Sequence, residues 1–125
     1  MQQKYIWIFS LAGWCFSLFS CTLNPQELHG TWQAVAFYEA GQSVHTPLDS
    51  VALEIRPDGQ YMFRAQGFYR EKGTYRISGR YLFLTDTSAT PDIEHAVKVV
   101  HLASDSLKIA MEHAGKEQVL FLVHK

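Results

Sequence analysis

From residue 31 onward the chain alternates apolar and polar positions in short runs broken by turn residues, and no helical period competes. "TWQAVAFYE" puts Trp32, Ala34, Ala36 and Tyr38 on one face. "SVALEIR" sets Val51, Leu53 and Ile55 against Ala52, Glu54 and Arg56, and "QYMFRAQ" sets Tyr61, Phe63 and Ala65 against Met62, Arg64 and Gln66. Between them "RPDGQ" is a turn with a mechanism: Pro57 presets φ, Asp58 bonds its own backbone, and Gly59 accepts positive φ. "EKGTYRI" and "RYLFLTD" follow, joined at Ser78-Gly79 as a short hairpin. "EHAVKVVHLA" and "SLKIAMEH" hinge near Ser104-Asp105, and Ala114-Gly115 turns into "KEQVLFLVH".

These runs predict eight antiparallel strands joined mostly by short connections. An up-and-down meander of that length buries best by closing into a barrel, which also removes its edges. A two-sheet sandwich is the alternative. "YLFL" and "VLFL" are apolar on both faces, so inside and outside are ambiguous there. The long connections are Gly41–Asp49 and Thr85–Asp92.

The front of the chain follows a different pattern. After "MQQK", residues 5–20 carry no charge, and this run is shorter than the ~20 residues of a membrane-spanning helix. A basic start, an apolar stretch and small residues before a cut describe a secretory leader. Leu18-Phe19-Ser20-Cys21 resembles the lipobox of bacterial lipoproteins, which implies a signal peptide at 1–20 and a diacylated, N-acylated Cys21 as the first residue of a mature domain, 21–125. An uncleaved anchor or a plainly secreted protein is the competing reading. Cleavage would remove Cys15 and block Cys21, excluding disulfides and thiol chemistry from the mature domain. Thr22 to Gln26 reads as a short tether. Its lack of acidic residues points to an anchor in the outer membrane facing the periplasm.

The body resembles the lipocalin-like, calycin-type domains of small Gram-negative lipoproteins. The resemblance rests on "LHGTWQ" at Leu28 to Gln33 and "EKGTYRISGRYLFL" at Glu71 to Leu84. It implies a helical turn over Pro25 to His29, then the structural motif Gly30-Thr31-Trp32, and a barrel that binds a small apolar or amphipathic molecule. The fuller lipocalin pattern carries a late arginine over the tryptophan. Here no arginine follows Arg80, and His124 and Lys125 stand near the end.

Trp32 is either part of a ligand cavity or the plug of the closed end, its N–H then seeking a backbone partner. Tyr38, Tyr61, Phe63 and Tyr75, with Met111, are the candidate ligand contacts. An eight-stranded interior is just wide enough to fill with side chains or to hold one small ligand. A filled barrel would instead act on a protein partner through its two long connections.

Composition narrows the remaining chemistry. A formal charge of −1 with scattered Lys and Arg argues against nucleic acid. His95 and His101 share a face but stand about 20 Å apart along an extended strand, too far for one zinc. His29, His45, His113 and His124 have no ligand spacing, so no metal site is expected. No serine sits in a nucleophile elbow and no glycine-rich phosphate loop is present, Gly73 and Gly79 reading as turn or bulge residues. Asp92, Glu94 and His95 are explained by loop composition. The expectation is a non-enzymatic binding protein without a cofactor.

Overall fold

The computed structural model describes residues 23–65, 70–88 and 90–125. The expected leader and Cys21 lie outside them. The chain forms a short helix α1 (Pro25–Leu28), then β1 (Gly30–Glu39), β2 (Gln42–Ser43), β3 (Ala52–Ile55) and β4 (Gln60–Arg64). β5 (Arg70–Ser78), β6 (Tyr81–Asp86), β7 (Ile93–Leu102), β8 (Ser106–His113) and β9 (Lys116–His124) complete it. All pairings are antiparallel between sequence neighbours, except that β1 pairs with both β3 and β9. That double pairing closes β1 and β3–β9 into an eight-stranded barrel, as the alternation predicts.

β2 is the strand that the pattern hides. Its two exposed residues carry no apolar signal, and they fold back on β1 with Tyr38 opposite Ser43. Ala40 and Gly41 make the reversal at φ 52 and 81. The β5–β6 reversal uses Gly79-Arg80, one residue later than expected, since Ser78 and Tyr81 are already paired.

Two bulges reset the inside-outside assignment. In β1 the register shifts between Ala34 and Ala36, leaving Val35 unpaired and 55% exposed. A bulge moves every later residue to the opposite face. Trp32 and Ala34 therefore point inward as expected, but beyond the bulge Phe37 takes the inner position and Tyr38 does not. In β7 the shift between Val99 and His101 puts His95 on the face of buried Val97 and Val99 and His101 on the other, opposite Lys108. The two histidines thus do not share a face.

The lower end of the barrel is sealed. Asn24 caps α1, its side-chain oxygen accepting from Gln26 N at 3.0 Å, and Pro25 opens the helix. Leu28 is thereby fixed at 0% exposure. Leu23, 4% exposed, hydrogen-bonds the carbonyl of Gly79 through its amide. These residues belong to the barrel floor, and the expected tether is corrected over Leu23 to Gln26, Thr22 lying outside the described residues. From the floor upward, Trp32, Leu53, Ile55, Leu82, Val97, Val99, Leu107 and Leu122 fill the interior with side-chain atoms. Each contributes about 1.5–3 kcal/mol through burial.

Candidate ligand-binding site

The strands end upward at a mouth bordered by the β1–β3 segment, the ends of β4 and β6 and the turn after β8. Packing is continuous from Trp32 as far as Leu53, Tyr61, Ile109 and Leu120, and above that level it opens. A cavity of about 450 Å³ lies there, within the 300–1,000 Å³ typical of small-molecule sites. Phe37 of β1, Phe63 of β4, Met111 of β8 and Leu120 of β9 line it from the barrel wall. Val44, Leu48 and Val51, with Thr46, line it from the segment between β1 and β3.

That segment is held by the strand beneath it. The Gln33 side-chain amide donates to the carbonyls of Leu48 at 2.8 Å and Val51 at 3.0 Å, and the Val44 amide donates to the Phe37 carbonyl at 2.9 Å. The residues Gly41–Asp49 are therefore as much a wall of the cavity as a surface loop. The other long connection is shorter than expected, because Thr85 and Asp86 belong to β6.

The predicted contacts separate. Phe63 and Met111 line the cavity. Tyr61 lies below it, 1% exposed, its hydroxyl donating to Glu71 Oε2 at 2.6 Å. Tyr75 faces inward near the floor, and its hydroxyl donates to the Arg56 carbonyl at 2.6 Å. Burial, and after it the Asp58 carboxylate, push the Tyr75 phenol above its ordinary pKa. Tyr38 is on the outer wall, edge-on to Phe121 at 5.6 Å between centroids. The bulge at Val35 removes it from the set and substitutes Phe37. Leu48 and Gln118 have no aromatic or motif signal in the sequence; the Gln33 amide holds the first at the mouth and pairing of β9 with β1 brings the second there.

Trp32 is the plug. It is fully buried, with its indole N–H donating to the Leu28 carbonyl at 2.8 Å. His124, near the end of the last strand, stands edge-on to the indole at 4.8 Å.

Polar groups also gather at the mouth. Glu71 is buried, with His95 Nε2 at 3.7 Å from its other oxygen. Asp86 is buried and accepts from the Ser88 amide and hydroxyl. Glu94 pairs outward with Arg76 at 3.7 Å. Asp92, Glu94 and His95 therefore do not converge, because alternation along β7 separates the last two. Among the described residues no three His, Cys, Asp or Glu side chains come together to hold a metal ion. Gly73 is neither turn nor bulge: it sits within β5, where a Cβ would lie 1.8 Å from the Thr85 carbonyl oxygen.

No protein-family model matches the chain, and no curated protein matches it. Among solved structures it is similar to a lipocalin-like protein from Bacteroides uniformis ATCC 8492, at a TM-score of 0.55 and 20% identity. The match covers 75% of this chain and 96% of that one. The likeness reaches the architecture: an all-β, closed eight-stranded antiparallel barrel of lipocalin-like fold with one short helix on its N-terminal side.

Proposed function

We propose that this protein is a lipid-anchored binding protein of the cell envelope, holding one small apolar or amphipathic molecule at the barrel mouth. The observation that carries this reading is the apolar cavity of about 450 Å³ between Phe37, Phe63, Met111 and Leu120. A filled barrel working through its loops would need packing to continue through that level. The lipocalin-like fold agrees with ligand binding.

The anchor reading is supported by Leu18-Phe19-Ser20-Cys21 and by the packing of Leu23. Acylated Cys21 would lie within about 7 Å of Leu23, the reach of two extended residues. The closed floor would then rest at the membrane surface, with the mouth at the far end. Ligand would exchange with the aqueous side or with a carrier.

Native mass spectrometry of residues 22–125, produced in a bacterial periplasm without the anchor, tests the binding reading. A mass excess that disappears on denaturation supports it. A bare mass from folded protein, unchanged after incubation with envelope lipid extract, overturns it. Metabolic labelling with a palmitate analogue tests the anchor; incorporation that persists in Cys21→Ser would reject it.

A further inference from the structure

We infer that the molecule held at the mouth is neutral or cationic at its polar end, an amine being the best match, and that long-chain carboxylates are rejected. This rests on the binding reading above and adds the charge of the ligand head.

Gln118 and Thr46 are the polar side chains of the cavity wall. Gln118 Nε2 donates to Glu39 Oε2 at 2.9 Å. A carboxylate only accepts, so the Gln118 amide is fixed with its nitrogen toward Glu39, and the group left to meet a ligand is its carbonyl oxygen. Glu39 itself is half-buried, two residues beyond Phe37 on β1 and in register with Gln118. On the opposite wall Glu71 is paired in register with Phe63, which lines the cavity. Glu39 thus stands directly behind the lining, joined to it through Gln118, while Glu71 is engaged by the Tyr61 hydroxyl and by His95.

Among the described residues no lysine or arginine lines the cavity. Strand alternation turns Arg64, next to Phe63, and Lys72, next to Glu71, into grooves on the outer wall. Lys116 shares the face of Gln118 and Leu120 on β9 but stands exposed at the rim, beyond the lining. His95 faces Glu71 and is half exposed. A ligand carboxylate entering the mouth would give up water for acceptors and negative charge, an uncompensated desolvation. An ammonium group would find the Gln118 carbonyl and the Glu39 carboxylate, gaining charge-assisted hydrogen bonds.

The test compares three ligands with one tail. The chain from Thr22 onward holds every element of the closed barrel and its whole core, and serves as the protein. N-phenyl-1-naphthylamine, a neutral apolar fluorophore, reports occupancy near neutral pH and is displaced with decylamine, decanol or decanoic acid. Decylamine should displace it at a concentration at least tenfold below decanoate, with decanol between them. Glu39→Gln should narrow that gap. Displacement by decanoate at or below the amine concentration would overturn the inference and leave the binding reading standing. A gap unaffected in Glu39→Gln would also overturn it. A folded protein that takes up neither fluorophore nor any decyl compound would overturn both.

Discussion

The imidazole of His124 stands edge-on to the indole of Trp32, with ring centroids 4.8 Å apart and planes at 80°. It lies against the backbone of Gly30, and a Cβ there would come within 2.3 Å of its Nε2. The first and last strands are thus locked at the barrel floor by three residues. Gly30-Thr31-Trp32 has a physical reading: glycine makes room for the closing side chain, and tryptophan receives it. Gly30 is also at φ +130, a conformation that side-chain-bearing residues rarely adopt.

Gly30→Ala should therefore cost about 1–3 kcal/mol from backbone strain alone, and more from the clash. In the double variant Gly30→Ala/His124→Ala the clash is gone while the strain remains. The two losses should be clearly less than additive, as measured by urea unfolding in a double-mutant cycle. Additive losses would mean that the two residues do not meet.

Gly73→Ala addresses the wall instead of the floor. The clashing atom is the Thr85 carbonyl oxygen, part of the neighbouring strand's backbone, so no side chain can swing aside. A loss of about 3 kcal/mol or more is expected, the upper range of overpacking. A thermal midpoint within a few degrees of the native protein would contradict this geometry.

Tyr75 predicts a loss of stability on the alkaline side. Its phenol is raised above 10.0, first by burial and then by Asp58. The neutral form is thus favoured by the fold. Stability from this group is complete below the unfolded pKa and is lost as pH rises through the folded one. Unfolding free energies measured from about pH 8 to about pH 11 should fall less steeply in Tyr75→Phe than in the native protein. Equal slopes would remove Tyr75 as the cause.

Phe63→Ala and Met111→Ala should each weaken retention of an apolar probe by about tenfold or more, since each removes a wall of the cavity. Tyr38→Ala, on the outer wall, should leave retention within about twofold. Fluorescence titration separates the three. Loss of binding in Tyr38→Ala alone would mean that the bulge at Val35 is misassigned.

The alternation of apolar and polar residues determined the eight barrel strands, their order and most of their turns, because each is a local property of a few consecutive residues. "RPDGQ" illustrates this: Arg56 N bonds Gln60 O and Gly59 adopts φ 87 in the turn those residues specify. Trp32 was likewise legible as a plug, since its place at the start of the first strand puts it at the floor. What the tertiary structure alone decided were the faces beyond each bulge. A single unpaired residue, Val35, exchanges Tyr38 for Phe37 at the cavity, and another in β7 separates His95 from His101. No local pattern announces such a residue; it is fixed by how two strands distant in sequence pair. Gln33, Gln118, Glu39 and Glu71 owe their places to the same cause. Their chemistry stands in the sequence, but pairing across the barrel brings them to one mouth.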